Sequence, residues 1–440
     1  MPARPQPARP PAPYLPAGWR RLDPVVRGLI AARALRSVAQ GALAADFVLY
    51  LRALHWGASA IGLLLAAGGM AGGLLGLLVG PWSDRHGRRT FLLAYQAALF
   101  GCTLAILGDP HGWVLVGSTV LFGFGLGANG AAGPFAPAEQ AWLARHVPAP
   151  ERGAVFSLNA AVAFWGMGAG SLLGGLVPLW APLLLAAHEP GAQAYLPLFL
   201  LTLLVAALNF WQIRRLREAP SEEPDRPAPT DDPAPPVGAP TERRQENRAL
   251  ALLAGVNAVN SLGIGLFGPL LPYWFAVRYG VGPGSIGSVY AITFLLTGVA
   301  CLAAGELAAR VGLIRSIVGL RLLGVGLLLA MPLMPSFAAA AALYAVRSII
   351  NRGSAGARQA FGVGLVRDAR RGWASSLNNV SWSLPSALGP ALGGWLMAIG
   401  SLDLPFYLAS ALQLAYALLF GTVLRPYEPG RAPRPNLARP

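Results

Sequence analysis

Between two long apolar runs stands the stretch Gly80-Pro-Trp-Ser-Asp84-Arg85-His-Gly87-Arg88-Arg89. It brings together one acid, three arginines and a turn-forming glycine, in a chain otherwise rich in Leu, Ala and Gly. A short loop between two bilayer-length helices has to lie at a membrane surface. Because arginine is enriched in cytoplasmic loops of membrane proteins, this loop is predicted to face the cytoplasm.

The composition is that of a membrane protein. Of 440 residues, 55% are hydrophobic and 12% are charged, which is about half the charged fraction of a soluble globular protein. All of the Lys+Arg count is arginine. The net charge of +15 therefore indicates membrane orientation and not a nucleic-acid surface, since no basic patch alternates with exposed aromatic residues. The predicted fold class is an all-α polytopic membrane protein.

Apolar runs long enough to cross a bilayer, about 20 residues each, fall into two sets of six. The first set covers roughly 26–51, 58–80, 90–108, 113–145, 153–184 and 194–214, and the second roughly 249–279, 284–308, 314–334, 337–366, 373–400 and 404–424. The predicted domains are an N-terminal tail (1–24), a six-helix bundle (25–216), a disordered linker (217–247), a second six-helix bundle (248–425) and a C-terminal tail (426–440). The linker is rich in Pro, Glu, Asp and Arg and too poor in apolar residues to fold alone.

The distribution of arginine predicts the orientation. An even number of spans in each set puts both termini and the linker on one side of the membrane. The loops and helix ends of the opposite side contain only Arg52 and Arg278, whereas the other side contains many arginines. Both termini are therefore predicted to be cytoplasmic, in a multi-pass protein of the plasma (inner) membrane.

The two sets also repeat in sequence. The stretch 152–159 recurs as 371–378, an offset of 219 residues (371 − 152), with Arg-Gly followed by Ser-Leu-Asn in both copies. At the same offset Gly174-Gly175 recurs as Gly393-Gly394. A constant offset across two helices and a loop indicates an internal duplication, which predicts two pseudo-symmetric halves.

The opening stretch resembles the loop motif G-x-x-x-D-R-x-G-R-R between the second and third helices of the major facilitator superfamily. The resemblance implies 12 transmembrane helices, arranged as two pseudo-symmetric six-helix bundles that rock about a central cavity. It also implies that the acid caps the start of the eleventh helix, near Gly372. The residues of this gating motif are Gly80, Asp84, Arg85, Gly87, Arg88 and Arg89.

Charged side chains at membrane depth are costly and therefore mark functional positions. Asp46, in the first run, is predicted to be a proton-coupling site, because a carboxyl in a low-dielectric site suits proton pick-up and release. The alternative is an outer-gate ion pair with Arg52 or Arg278. Glu139 occupies the position that matches Arg358 in the repeat (358 − 139 = 219), and these opposite charges predict an inner gate held by ion pairs.

The resemblance places the first and fourth helices of each half around the central cavity. Arg347 on the tenth run cannot usefully titrate, so its expected task is to bind an anionic group or to pair with a carboxylate. Arg33 and Arg36, one helical turn apart on the first run, are expected to act as a gate or an anchor rather than to contact substrate. The candidate substrate-cavity residues are Gln40, Asn129, Asn257, Asn260, Arg347 and Asn351.

Small residues in the fifth run form the sequence Gly166-x-x-x-Gly170-Ser-Leu-Leu-Gly174-Gly175. It resembles the G-x-x-x-G-P-x-x-G-G signature of antiporters in the superfamily, with serine at 171 in place of proline. The resemblance favours export. The same spacing also serves ordinary close helix packing, so both interpretations stay open.

Several function classes are excluded by what the sequence does not contain. It has no HExxH motif, no cluster of Cys and His, and no lysine for the ATP-binding loop G-x-x-x-x-G-K-[ST]. No metal, cofactor or enzymatic activity is expected.

The predicted function is secondary active transport by alternating access, with proton-coupled efflux of a drug-like compound or metabolite. The alternative is proton-coupled uptake of a sugar or organic anion, and a remote one is a membrane-embedded enzyme or lipid scramblase. The expected partners of a monomeric chain are a small-molecule substrate, protons and the bilayer, but no nucleic acid.

Overall fold

The computed structural model describes residues 19, 22–108, 112–126, 136–148, 151–185, 191–216, 218, 240–311, 313–353 and 371–427. The N-terminal half contains α1 (Pro24–Ala53), α2 (Ala58–His86), α3 (Arg88–Gly108), α4 (Gly112–Phe122), α5 (Ala136–Arg145), α6 (Arg152–Gly175), α7 (Val177–Leu185) and α8 (Leu196–Arg215). The C-terminal half contains α9 (Pro240–Phe267), α10 (Leu271–Tyr279), α11 (Pro283–Val311), α12 (Leu313–Ala330), α13 (Phe337–Gly353), α14 (Arg371–Ala398) and α15 (Leu404–Val423). Within these ranges there is no β-strand, and the predicted all-α fold class is confirmed.

Each of the twelve predicted apolar runs contains a helix of the structure. Eight helical segments of the described residues are long and apolar enough to cross a membrane, and Gly112–Phe122 is a shorter apolar helix. Helices α1, α13 and α14 are not among the eight. The apolar sequence of α1 is interrupted by Arg33, Arg36 and Asp46. Helix α13, which contains Arg347, has only 17 residues. Charged residues are tolerated in such helices where one face meets a polar interior instead of lipid.

The start of α9 differs from the sequence-based boundary. The disordered linker was predicted to end at residue 247, but the helix already begins at Pro240. Proline is favourable at the first position of a helix, and the Glu, Arg and Gln residues that follow are good helix formers. These residues therefore extend α9 away from the membrane-spanning part, although they contribute no apolar surface.

Within the N-terminal half, α6 packs on α1 through the glycines of the predicted packing motif. A β-carbon at Gly166, Gly170 or Gly174 would come into overlap with backbone carbonyl or amide atoms of α1. Ser171, between them, donates its hydroxyl hydrogen bond to the carbonyl oxygen of Gly41 at 2.9 Å. Only glycine allows the two helix backbones to approach this closely, so the motif brings α1 and α6 into backbone contact.

The two halves meet along two seams, α2 with α14 and α6 with α11. A β-carbon at Gly394 of α14 would overlap with the carbonyl oxygen of Ala58 on α2, and one at Gly287 of α11 would lie 2.7 Å from the α-carbon of Gly175 on α6. Both contacts lie at the end of the molecule where α1 passes into α2. The largest buried apolar cluster lies there too, with aromatic pairs such as Tyr50–Phe199, whose ring centroids are 4.9 Å apart. In this conformation that end, called here the closed end, is shut by tight packing.

The two halves are related by a second residue offset, which the sequence repeat did not reveal. A β-carbon at Gly41 would overlap with the carbonyl oxygen of Met167, and one at Gly265 with that of Ser386. Met167 and Ser386 are 219 residues apart, as the repeat predicts, but Gly41 and Gly265 are 224 apart (265 − 41). The first helices of the two halves, α1 and α9, therefore correspond at the larger offset. Among the equivalent pairs are Arg33 and Asn257, Arg36 and Asn260, and Ser37 and Ser261.

Candidate functional site

The gating motif bends the chain sharply between α2 and α3. Gly87 has a φ of +87°, in the region that favours glycine. The carboxylate of Glu218 then accepts hydrogen bonds from the backbone N–H groups of Arg88 and Arg89 at 2.9 and 2.8 Å. Arg89 also donates from its guanidinium to the carbonyl oxygen of Arg214, at the end of α8. The first turn of α3 is thus tied to the segment that leads into the linker.

Glu218 is a residue that sequence reasoning missed, because a single glutamate in a charged linker carries no positional signal. Its carboxylate satisfies two of the N–H groups that a helix start leaves without a partner, and it lies at the positive end of the helix dipole. Gly80 lies within α2. The side chains of Asp84 and Arg85 lie outside the described part of the motif, so its predicted contact with the eleventh helix stays a prediction.

Replacing Glu218 by alanine is expected to destabilise the protein by about 1 kcal/mol, the usual cost of losing a helix N-terminal cap. The melting temperature of the purified protein in detergent measures this. The matched control is Glu151→Ala, since Glu151 precedes α6 but makes no side-chain capping bond. Equal melting temperatures for the two variants would show that the Glu218 contacts do not stabilise the fold.

A buried ion pair connects α1 with α5. The guanidinium of Arg36 donates to the carboxylate of Glu139, and the two residues are 7% and 5% exposed. The predicted partner of Glu139, Arg358, lies outside the described residues, as does Asn129. In the described part of the chain Glu139 therefore pairs within its own half, with Arg36.

A cavity opens beside this ion pair, with a volume of about 510 Å³ including the space at its mouth. It lies between α1, α3, α8 and the residues that follow α4, and its polar lining comes from Arg36, Gln40, Gln96 and Thr202. The Nε2 amide of Gln96 is buried and has no hydrogen-bond partner among the described residues. We call this space the N-half cavity. Among the described residues, Gln40 is the one predicted substrate-cavity residue that lines it.

Asp46 is fully buried against α6. A β-carbon at Gly174 would overlap with its Oδ2 atom, and neither carboxylate oxygen has a hydrogen-bond partner among the described residues. The predicted alternative, an outer-gate ion pair, is wrong for this conformation, because Arg278 lies 4.0 Å from Asp403 instead and no pair with Arg52 forms. At the equivalent position of the C-terminal half, Gly393 faces Leu270.

Apart from Asn129, which lies outside the described residues, the other predicted substrate-cavity residues lie in the C-terminal half and do not line the N-half cavity. Asn257 donates through Nδ2 to Oδ1 of Asn378 at 2.7 Å, which joins α9 to α14. Asn260 is fully buried. Arg347 donates to Oε1 of Gln413 at 2.9 Å, and Asn351 lies against Gly324 of α12. The structure therefore does not gather the five described candidates into one site. The described residues contain no group of three His, Cys, Asp or Glu side chains that could hold a metal.

Comparison with known structures places this fold among transporters. The chain aligns with the D-xylose-proton symporter at a TM-score of 0.66, with 15% identity over 90% of this chain and 97% of the other. It aligns with a bacterial homologue of the human lysosomal transporter Spinster in an inward-facing, unoccupied conformation at 0.63, with 14% identity and coverage of 90% and 94%. For the human organic anion transporter MFSD10 the TM-score is 0.62, with 16% identity and coverage of 91% and 99%. Identities this low establish the fold alone.

Sequence comparison agrees at two levels. The D-xylose transporter of Levilactobacillus brevis is 36% identical over 90 residues, but that match spans only about a fifth of either protein (20% of this chain and 18% of the relative). The model of the family described as Major Facilitator Superfamily matches residues 29–255 and again residues 253–440, one match for each half. The chain therefore belongs to the Major Facilitator Superfamily of transporters.

Proposed function

We propose that this protein is a secondary active transporter that works by alternating access and couples the movement of a small molecule to the movement of protons. The observation that carries the proton coupling is the buried, unpartnered carboxyl of Asp46. The halves would rock about the glycine seams, so that the closed end opens when the opposite end shuts. The arginine distribution supports cytoplasmic termini, which puts the closed end on the opposite side of the membrane.

Asp46 suits proton exchange because of where it is buried. An ionised carboxylate without a partner is very costly in an apolar interior, so the group holds a proton there instead. Its oxygen atoms touch Gly174 at the α1–α6 contact. Loss of the proton would leave a bare charge in this contact, and only a conformation that admits water to α1 tolerates that charge. Protonation and conformation are thereby linked.

The N-half cavity supports a neutral substrate that carries oxygen atoms. The charge of Arg36 is balanced by Glu139, so the cavity has no net charge from this pair. The Nε group of Arg36 and the Nε2 group of Gln96 are buried donors without acceptors in the described chain. Hydroxyl or carbonyl oxygens of a ligand would accept from them, while Leu43 and Phe124 contact its apolar side. A sugar, whose hydroxyl groups carry such oxygen atoms, meets these requirements, in keeping with the similarity to D-xylose transporters.

A second candidate function is export of an amphipathic compound. The backbone contact of Gly166, Gly170 and Gly174 with α1 favours it, since this motif resembles that of antiporters.

Everted membrane vesicles distinguish the two directions of transport. Export predicts that an imposed pH gradient, acidic inside, drives a fluorescent amphipathic dye into the vesicles. Proton-coupled uptake predicts instead that D-xylose leaves preloaded everted vesicles together with protons.

Replacing Asp46 by asparagine is expected to abolish substrate accumulation driven by a pH gradient, because the amide cannot carry a proton. Exchange of labelled for unlabelled substrate across proteoliposomes, which needs no net proton movement, should continue. The two assays are run side by side on purified protein in proteoliposomes, with D-xylose and the dye as substrates.

The matched control is Asp403→Asn. Asp403 accepts a hydrogen bond from Trp274 at 3.0 Å and is partly exposed, so its amide replacement keeps the hydrogen bond and should keep gradient-driven accumulation. Gradient-driven accumulation by Asp46→Asn at the rate of the unmodified protein would refute the proposed role of Asp46.

A further inference from the structure

Three polar side chains meet inside the C-terminal half, at the positions that correspond to the N-half cavity. They are Arg321 on α12, Arg347 on α13 and Gln413 on α15, and we call them the arginine cluster. Helices α12, α13 and α15 are the third, fourth and sixth spans of their half. The N-half cavity lies between the first, third, fourth and sixth spans of its own half. The interior of each half is therefore polar, but the two interiors are charged differently.

Two guanidiniums converge on one neutral oxygen in this cluster. Arg347 donates to Oε1 of Gln413 at 2.9 Å, and Arg321 donates to the same oxygen at 3.3 Å. Arg347 is 5% exposed and Gln413 is fully buried. Since arginine keeps its charge at any working pH, two positive charges are held close together inside the protein.

Arg347 has no carboxylate partner among the described residues. Its guanidinium carbon also lies 4.7 Å from the centroid of the Phe267 ring. The contrast with the N-terminal half is direct, because there the buried Arg36 is neutralised by Glu139. A buried charge normally requires such a partner.

Hydrogen-bond donors also outnumber acceptors around the cluster. The Nε group of Arg347 and the Nε2 group of Gln413 are buried and find no acceptor in the described chain. Gly263 of α9 packs on Gln413, since a β-carbon there would lie 3.4 Å from its Cγ. Asn260, one turn earlier on α9, is fully buried with its amide nitrogen and oxygen both unpartnered in the described part. The uncompensated charge of Arg347 and this surplus of donors suit an anion.

We propose that the arginine cluster binds a small carboxylate anion, as a second ligand distinct from the molecule held in the N-half cavity. A guanidinium presents its N–H groups as a planar fork that matches the two oxygens of a carboxylate. The amide oxygen of Gln413 occupies the position of one such oxygen but brings no charge. Entry of the anion requires a conformation in which α9, α13 and α15 move apart, because Gln413 is fully buried here.

The test is thermal unfolding of the purified full-length protein in detergent, with sodium formate or sodium acetate compared with sodium chloride at equal ionic strength. The carboxylates are expected to raise the melting temperature saturably, by roughly 2–4 °C for a chain of this size. Gln413→Glu supplies a carboxylate with almost the same shape. This variant should melt higher than the unmodified protein in chloride and lose the response to formate and acetate.

Arg347→Gln provides a second route should Gln413→Glu fail to fold, and it too should lose the response. The control is Arg278→Gln. The side chain of Arg278 is 43% exposed, and its loss should leave the response intact. Equal melting temperatures of the unmodified protein in chloride and carboxylates would overturn the proposal, as would an unchanged response in Arg347→Gln. Because the readout is binding, it does not depend on the proton-coupled transport proposed above.

Discussion

Replacing Glu139 by leucine is expected to destabilise the protein by about 3–5 kcal/mol, the largest effect of any single change considered. The substitution removes the carboxylate and leaves the Arg36 guanidinium buried without a counter-charge. Arg36 is only 7% exposed, and water in the adjoining N-half cavity does not supply the lost counter-charge. Denaturant titration of the purified protein in detergent micelles measures the free energy of unfolding.

The double variant Arg36→Met/Glu139→Leu separates the two parts of this effect. Buried ion pairs can often be replaced by apolar residues of similar volume at little cost. The double variant should therefore be more stable than Glu139→Leu alone, with a large coupling free energy in the double-mutant cycle. Additive effects of Arg36→Met and Glu139→Leu would mean that the two side chains do not interact in the folded protein.

Replacing Gly170 by alanine is expected to cost about 3 kcal/mol, at the upper end of the range for overpacking in a core. The new β-carbon would overlap with the carbonyl oxygen of Val38 and lie 2.7 Å from the amide nitrogen of Ala42. Both are backbone atoms of α1, and they cannot rotate away as a side chain can. Separation of the helices would also weaken the bond from Ser171 to Gly41. The melting temperature should fall by roughly 6–12 °C.

Gly101→Ala is the matched control for this prediction. Gly101 lies within α3, on an exposed face, and a β-carbon there would meet nothing within 4 Å. Since alanine is the better helix former, this variant should be as stable as the unmodified protein or slightly more stable. A similar loss of stability in both variants would point to a general intolerance of larger residues and not to the α1–α6 contact.

The fold was predictable because every helix that crosses lipid has to be apolar over the thickness of the bilayer. Apolar runs of bilayer length identify the helices, and the repeat around Arg152 and Arg371 identifies the halves. The boundary at Pro240 was not predictable from hydropathy, since the first turns of α9 contain no apolar surface. Hydropathy also understates α1 and α13, which contain charged residues that are buried inside the protein, such as Asp46 and Arg347.

The candidate site was less predictable, because pairing depends on contacts between distant parts of the chain. Arg36 and Glu139 are 103 positions apart, and the pattern suggested Arg358 as the partner of Glu139. Arg321 and Gln413 carried a usable signal, since each is a polar residue inside an apolar run. They were overlooked because the family resemblance directs attention to the first and fourth helices of each half, whereas these two residues lie on the third and sixth.

The two offsets of the repeat, 219 for the fifth helices and 224 for the first, have an evolutionary consequence. The ancestral unit was copied, and five residues (224 − 219) were then gained in the first copy or deleted from the second, between helices one and five. Both copies retain the glycine at 41 and 265, whereas the arginines at 33 and 36 are matched by asparagines at 257 and 260. The copies thus diverged in charge while their helix contacts stayed alike. A reconstruction of the ancestor has to align the segments before and after this length change separately.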